Sequence, residues 1–205
     1  MVVIVDYGMG NLNSVRKALE VLGADAVISN KKSDLENADR IILPGVGAFG
    51  QGMKNLKELG LIDALKKEVL EKKKPFLGLC LGMQLIAKNS TELGFNDGLG
   101  WLDAEVRSLA EKSRTIKIPH IGWNEITFKP ESPLFIGFQN KPAFYFVHSY
   151  HVICNSESDV AATCDYGLTF TAAINKDNIF GTQFHPEKSQ TVGLQVLKNF
   201  LDWKR

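Results

Sequence analysis

Two residues far apart in this sequence, a cysteine and a histidine, are the best suited to carry out chemistry. Cys80 stands in the run GLCLG at residues 78–82, after an apolar stretch and before a segment with helical character. A strand, a sharp turn and a helix in this order predict a nucleophile elbow, which presents a reactive side chain above the edge of a sheet. The helix dipole and free backbone N–H groups would favour the thiolate of such a cysteine. An unreactive core cysteine is the alternative, since cysteine is among the most buried residue types.

A thiolate nucleophile needs a base, and His185 has the best neighbourhood of the four histidines. It is followed by Pro186 and Glu187, and Pro186 biases the histidine toward an extended conformation. Residues two apart in an extended segment point to the same side, so Glu187 would accept the second imidazole N–H and hold the tautomer. A strand end with a solvent-facing histidine and glutamate is the alternative that these three residues alone leave open.

The elements that must position these residues alternate between strands and helices in the first half of the chain. Helical apolar spacing covers residues 12–22 and 61–70, and short apolar runs predict strands at residues 2–5, 26–28, 40–43 and 76–79. Alternating strands and helices imply right-handed crossovers and a parallel sheet, with a site at the carboxyl ends of the strands. We therefore expect an α/β fold.

From about Trp101 onward, the sequence changes to shorter strand-like runs. These runs lie at residues 104–106, 124–128 and 144–147, and residues 169–173 and 179–184 predict a hairpin. A last amphipathic helix would bury the apolar stripe formed by Val192, Val196, Leu197, Phe200 and Leu201. No repeat, low-complexity tract or linker interrupts the chain, so we expect one domain over residues 1–205.

Composition excludes several classes of function. The 24 basic and 23 acidic residues give a formal net charge of +1, which offers no reason to expect nucleic acid or an anionic membrane as a partner. No apolar run reaches membrane-spanning length, and no spacing of cysteines and histidines typical of a zinc site occurs. Three cysteines without a pairing pattern or a secretory segment predict a reducing, cytoplasmic setting without a metal or cofactor.

Four segments follow one another in an order known from a family of enzymes. They are PGVGAF at residues 44–49, the elbow around Cys80, TELG at residues 91–94, and HPE at residues 185–187. Together they resemble the class I (triad) glutamine amidotransferases. The resemblance implies a doubly wound, mostly parallel sheet with a nucleophile elbow and an added antiparallel C-terminal portion. It also implies that Cys80 forms a glutamyl thioester, that His185 transfers protons and that Glu187 orients His185.

The same resemblance implies further site residues for the hydrolysis of free glutamine. The backbone N–H of Leu81 and the loop around Val46 and Gly47 would stabilise the oxyanion. The residues implied in binding the amino and carboxylate ends of glutamine are Gln84, Glu92, Ser149 and Tyr150. For Glu92 and Ser149, considered singly, ordinary surface or capping roles remain open.

Three further runs narrow the resemblance. VDYGMGN at residues 5–11, PHIGWN at 119–124 and FVHSY at 146–150 are similar to the glutaminase subunits of imidazole glycerol phosphate synthases. Such a subunit passes ammonia to a (β/α)8 cyclase subunit in histidine biosynthesis, and the residues expected to face that partner are Asn11, His120, Trp123 and Lys188. The alternatives are a glutaminase of another synthase, a cysteine hydrolase acting on peptides or γ-glutamyl chains, and a catalytically silent regulatory subunit.

Overall fold

A computed structural model describes residues 1–111 and 116–204 of the chain. The strands are β1 (Val2–Val5), β2 (Ala26–Ser29), β3 (Arg40–Gly45), β4 (Phe76–Cys80), β5 (Asn89–Ser90), β6 (Asn96–Asp97), β7 (Ala104–Ser108), β8 (His120–Phe128), β9 (Ala143–His148), β10 (Tyr150–Cys154), β11 (Val160–Asp165), β12 (Thr169–Lys176) and β13 (Ile179–Thr182). The helices are α1 (Leu12–Val21), α2 (Lys32–Asn37), α3 (Phe49–Glu58), α4 (Leu61–Lys66), α5 (Leu81–Leu85) and α6 (Gln190–Asp202).

Within the described ranges, nine strands form one sheet in the order β2-β1-β3-β4-β13-β12-β11-β8-β9. The strands from β2 to β13 run parallel, and those from β13 to β9 pair antiparallel. The expected α/β fold with a mostly parallel core and an antiparallel portion is therefore confirmed. Because β3, β4 and β13 end side by side, side chains that follow these strands meet at one edge of the sheet.

Helices cover both faces of the parallel strands. All four residues of β1 are buried, as a continuous β-branched run between two helix layers requires. Alternate residues of β1 enter two separate cores: Val2 and Ile4 pack with α1 and α6, and Val3 and Val5 pack with α3 and α4. This arrangement is the doubly wound architecture, in which each helix buries one apolar face against the sheet.

The antiparallel portion adds four strands to the main sheet after β13. Strands β12 and β13 form the expected hairpin, and Asp177 in its turn has a positive φ of 53°. A second, four-stranded sheet in the order β10-β7-β5-β6 lies beside the main sheet in the described residues. None of the helices in these ranges has the length and apolar character needed to cross a bilayer.

Lys74, one of the lysines that follow α4, is largely buried, with 14% of its side chain exposed. The π-helical turn Lys67–Glu71 carries Glu68, whose side chain is 1% exposed and ion-paired with Lys74 at 2.7 Å and Lys72 at 2.9 Å. Lys74 also donates to the carbonyl oxygens of Leu35 and Glu36. Burial raises the pKa of the Glu68 carboxyl, but hydrogen bonds and charges from the two lysines outweigh it and hold this pKa below its usual range.

We therefore expect Lys74→Met to lower the free energy of unfolding by about 3 kcal/mol, because it leaves a buried carboxylate without its best partner. Lys72 is 45% exposed, and Lys72→Met is the matched control with an expected loss below about 1 kcal/mol. Urea denaturation at pH 7 measures both changes. Equal losses in the two variants would show that burial of the Glu68–Lys74 pair carries no special weight.

Candidate active site

Cys80 lies at the end of β4 in a strained backbone conformation, with φ 51° and ψ −105°. A positive φ is costly for a residue with a side chain and persists only where its surroundings impose it. Here two glycines allow the turn to close tightly. A Cβ on Gly82 would lie 1.7 Å from the Leu43 carbonyl oxygen, and one on Gly78 would lie 2.6 Å from the Gly82 carbonyl group. The strand, turn and helix form the geometry of a nucleophile elbow.

The sulfur of Cys80 is enclosed by polar groups. The cysteine is 5% exposed, and its Sγ lies 3.5 Å from the Gln183 side-chain nitrogen and 3.9 Å from the Val147 carbonyl oxygen. Gln183 is fully buried and donates an amide hydrogen toward the sulfur. The sulfur therefore faces one donor, the Gln183 amide, and one acceptor, the Val147 carbonyl oxygen.

His185 lies beside Cys80 and is fixed on its other side by Glu187. The His185 Nδ1 is 2.8 Å from Glu187 Oε1, and both side chains are 3% exposed. The geometry differs from the extended segment expected from the sequence, because Pro186–Lys188 forms a 3-10 turn that brings Glu187 back to the ring. Ser189 helps to hold this turn by donating to the His185 carbonyl oxygen at 2.6 Å.

The charge on His185 depends on both neighbours. Burial lowers the pKa of the imidazole, but the adjacent Cys80 side chain and the Glu187 carboxylate bonded to Nδ1 raise it from 6.5 to about 10. Because Nδ1 faces the carboxylate, Nε2 remains for the exchange of a proton with the sulfur. The arrangement therefore favours an imidazolium beside the Cys80 sulfur at neutral pH, which is the pairing that acyl transfer by a cysteine uses.

A cavity of about 580 Å³ opens in front of Cys80, a size suited to a small molecule. Leu81, Val46 and Gly47, the three residues expected to surround an oxyanion, all line it. Gly47 has a φ of 107°, and a Cβ there would lie 2.8 Å from the Met9 methyl carbon, so this position requires glycine. Val46 is 41% exposed at the cavity mouth.

The four residues expected to bind substrate also line this cavity: Gln84, Glu92, Ser149 and Tyr150. Two of them already have internal partners. Glu92 Oε2 accepts a hydrogen bond of 2.7 Å from the Phe49 backbone N–H, the first residue of α3. Gln84 Nε2 donates to the Tyr150 carbonyl oxygen at 2.9 Å and to Gln183 Oε1 at 3.0 Å. The Gln84 amide group therefore links Tyr150 to Gln183.

The residues expected to face a partner separate into two groups. Trp123 is 47% exposed, and the exposed Lys188 holds its Nζ 5.9 Å from the centre of the Tyr145 ring. Asn11 is exposed as well, although its side chain accepts from the Ser14 N–H and caps α1. The expectation that His120 contacts the partner directly is wrong, because this residue is 1% exposed.

His120 is buried because of the pairing of β8 with β9. Its ring stacks on Tyr166 with centroids 4.0 Å apart, and its Nδ1 lies 2.9 Å from His148 Nε2. Burial lowers the pKa of His120 to about 4 and the pKa of His148 to about 3, so both rings are neutral at neutral pH. This buried pair is an addition to the site that the sequence did not indicate.

Gln183 and Val147 are the other site residues that sequence reasoning missed. Val147 contributes through its carbonyl group, for which the sequence carries no signal. Gln183 stands two positions before His185, directly after β13, and its contacts with Gln84 and Cys80 join parts of the chain that are far apart in sequence.

The sequence matches one known family of enzymes over almost its whole length. A model of the glutamine amidotransferase class-I family matches residues 3–203. The chain is 52% identical over 201 residues to imidazole glycerol phosphate synthase subunit HisH 1 of Campylobacter jejuni strain RM1221, covering 98% of this chain and 99% of that relative. The HisH subunit of Aquifex aeolicus is 50% identical, over 97% of this chain and 94% of its own.

Solved structures agree on the fold. A glutamine amidotransferase crystal structure superposes with a TM-score of 0.75 at 23% identity and covers 98% of both chains. A chain of PurLQS from Thermotoga maritima superposes with a TM-score of 0.74 at 18% identity, over 98% of this chain and 97% of that one. At these identities the likeness extends to the architecture alone.

Proposed function

This chain belongs to the glutamine amidotransferase class-I family, and we propose on that premise that Cys80, His185 and Glu187 hydrolyse the side-chain amide of glutamine. Relatives 45–52% identical over 98% of the chain are HisH subunits of imidazole glycerol phosphate synthase, and this chain is such a glutaminase subunit. The observation that carries the assignment of residues is the position of one strained, buried cysteine beside a histidine whose Nδ1 is held by a carboxylate.

The reaction follows from the positions of these three groups. The Cys80 sulfur attacks the amide carbon, and a tetrahedral intermediate forms with its negative charge on oxygen. His185 then gives its proton to the amide nitrogen as the carbon–nitrogen bond breaks, which leaves ammonia and a glutamyl thioester. Water attacks the thioester after giving a proton to His185, and glutamate and the Cys80 thiolate are released. Glu187 keeps Nε2 of His185 directed at the sulfur throughout.

The oxyanion requires backbone donors close to the elbow. We assign the Leu81 N–H to this role, because it follows the nucleophile directly at the first position of α5. A second donor comes from the loop at Val46 and Gly47, which borders the same cavity. The loss of one such donor typically raises the barrier by about 3 kcal/mol.

Substrate recognition divides between the two ends of free glutamine. The carboxylate of Glu92 receives the α-ammonium group, and it also raises the pKa of the nearby Tyr150 phenol, after the larger effect of burial. Backbone groups of Ser149 and Tyr150 hold the α-carboxylate. The Tyr150 carbonyl oxygen already accepts from Gln84, so the N–H groups of this segment are the ones suited to an anion. Gln84 contributes by fixing that segment as well as by bordering the substrate.

The ammonia must reach a second active site before water traps it as ammonium. We propose that a (β/α)8 cyclase subunit binds over the exposed residues Trp123, Lys188 and Asn11 and receives ammonia from the cavity. Lys188 lies at the boundary of this surface and the Cys80 cavity, which supports a partner seated at the cavity mouth. His120 acts beneath that surface and makes no direct contact.

Two broader assignments accompany this proposal. We propose that residues 1–205 work as one amidotransferase domain, since both apolar cores share the nine-stranded sheet. We also propose that the reaction takes place in the cytoplasm, because Cys80, Cys154 and Cys164 are all free thiols and a reducing compartment keeps a thiolate nucleophile active.

The test is glutamate release by the chain alone and with the cyclase partner and its ribonucleotide ligand. We expect the complex to be faster by about 100-fold, the upper range of coupling between two sites. Ammonia should then appear in the cyclase product and not in solution. Fast glutamate release by the isolated chain that ignores the partner and the ligand would contradict the synthase assignment.

A further inference from the structure

A row of polar groups leads from Asn124 on β8 through two buried histidines toward the cavity. Asn124 Nδ2 lies 2.9 Å from His120 Nε2, and His120 Nδ1 lies 2.9 Å from His148 Nε2. His148 Nδ1 then lies 2.8 Å from the Tyr150 carbonyl oxygen. His120 and His148 stand directly opposite each other on β8 and β9, so strand pairing sets their separation.

The Tyr150 carbonyl determines the direction of every hydrogen bond in this row. A carbonyl oxygen only accepts, so the proton of the neutral His148 ring must be on Nδ1. His148 Nε2 therefore accepts from His120, whose own proton is on Nδ1 as well. His120 Nε2 is then an acceptor, and Asn124 must direct its amide hydrogens toward it. The opposite direction would place two acceptors 2.8 Å apart at Tyr150.

The row continues from Tyr150 to the nucleophile. The Tyr150 carbonyl also accepts from Gln84 Nε2, which donates its other hydrogen to Gln183 Oε1. Gln183 Nε2 in turn donates toward the Cys80 sulfur. Two donors thus meet on one carbonyl oxygen, one from the histidine pair and one from the helix that follows the elbow. The position of that oxygen sets the position of Gln84 and Gln183.

The surroundings make this network costly to leave incomplete. Phe146 stacks on His120 and Phe170 packs against His148, and the two histidines are 1% and 6% exposed. Polar groups in such a place cost free energy unless each has a partner, and a fully satisfied network fixes a single geometry. Two apolar residues could occupy these paired positions on β8 and β9. The presence of two histidines there therefore indicates that the position of Tyr150 has to be fixed.

We propose that His148, held by His120, is a positioning residue for the glutaminase reaction: it places the Tyr150 carbonyl and, through Gln84 and Gln183, the donor that faces the Cys80 sulfur. This inference rests on the proposed function, with Cys80 as the nucleophile. It assigns His120 and His148 neither a substrate contact nor a proton transfer.

The test uses two replacements that each keep one nitrogen position of His148. His148→Asn keeps an N–H donor where Nδ1 reaches Tyr150, and His148→Gln keeps an amide where Nε2 faces His120 but loses the donor to Tyr150. We expect His148→Asn to retain kcat/KM for glutamine within about threefold in the complex with the cyclase partner. We expect His148→Gln to lose about tenfold, the effect of one hydrogen bond.

A second measurement needs neither glutamine nor a partner. The rate at which iodoacetamide alkylates Cys80, followed by peptide mass spectrometry, should be close to that of the unchanged chain in His148→Asn and several-fold slower in His148→Gln, because the Gln183 amide that donates to the sulfur shifts. Similar rates in both folded variants, or equal losses that follow their melting temperatures, would overturn the proposal. Absence of glutamate release by the unchanged complex would contradict the proposed function and leave the alkylation result to decide this one.

The unchanged protein provides a check that depends on no variant. In chains labelled with ¹⁵N-histidine, long-range ¹H–¹⁵N NMR spectra distinguish the two neutral ring forms. The proposal requires both His120 and His148 to carry the proton on Nδ1 at pH 7. A proton on Nε2 of either ring would reverse the row at Tyr150 and overturn the proposal, even if the His148 variants fail to fold.

Discussion

Replacing Cys80 with alanine is expected to reduce glutamate release by about 10⁶-fold, the order of loss that follows removal of a triad nucleophile. The alanine has no atom that can form the thioester. Neither of the other two cysteines is suited to replace Cys80, because burial raises the pKa of both Cys154 and Cys164 to about 12. The synthase complex should still form product when ammonium salts replace glutamine, because that route bypasses the elbow. Parallel assays with glutamine and with ammonium measure the two routes.

Cys154→Ala is the matched control for this experiment, since it removes a half-buried thiol from β10 without touching the elbow. It should keep glutamine-dependent activity within about twofold to threefold, because a surface-proximal substitution away from the site has a small effect. Near-normal glutamate release by Cys80→Ala would show that another group attacks the amide. Loss of both the glutamine and the ammonium routes would point to a folding defect, which circular dichroism detects.

The elbow could be predicted from the sequence because its determinants are local. An apolar run, Gly78, Cys80 and Gly82 lie within a few residues of one another, and the close contacts at both glycines explain why those residue types are needed. The alternating strand–helix order likewise determines the parallel half of the sheet. Such features depend on neighbours in the chain, which a sequence displays directly.

The arrangement of His185 and Glu187 could be predicted only in part. The sequence identifies the two residues as neighbours, but the 3-10 turn that pairs their side chains depends on Ser189 and on Tyr145, whose carbonyl accepts from the His185 N–H at 2.9 Å. Tyr145 lies on β9, far from His185 in sequence. Contacts between distant elements decide the local backbone here, and no pattern around residues 185–187 reveals them.

The wrong expectation for His120 could have been avoided by comparing it with Trp123 on the same strand. They stand three positions apart on β8, and side chains on a strand alternate between faces. Trp123 and Ile121 are 47% and 58% exposed, so His120 must point the other way, into the sheet. The run PHIGWN at residues 119–124 suggests one shared surface, but its residues lie on both faces of β8. The outer face is suited to a partner, and the inner face carries the row of hydrogen bonds to Tyr150.

Glu187→Gln is expected to lower kcat/KM for glutamine by about 10³-fold to 10⁴-fold, because the carboxylate fixes which nitrogen of His185 carries the proton. An amide in its place can donate to Nδ1, which moves the proton to Nε2 and prevents that nitrogen from taking the thiol proton. The pKa of His185 should also fall from about 10, since hydrogen bonding and charge from Glu187 contribute to raising it. The imidazolium persists below this pKa, so the alkaline limb of the pH–rate profile should move to lower pH.

Glu187→Asp separates charge from reach, because it keeps the carboxylate but shortens the side chain by one carbon. It should recover part of the activity and keep the alkaline limb closer to that of the unchanged enzyme, since a negative charge still faces the ring. Glutamate release measured from about pH 6 to 10.5 in the complex gives both the rate and the position of the limb. If Glu187→Gln kept more than about a tenth of the activity with an unshifted limb, the carboxylate would be a structural brace for the 3-10 turn. His185 would then have to hold its tautomer through the Cys80 sulfur alone, and the thiolate–imidazolium pair would be the element that organises the whole site.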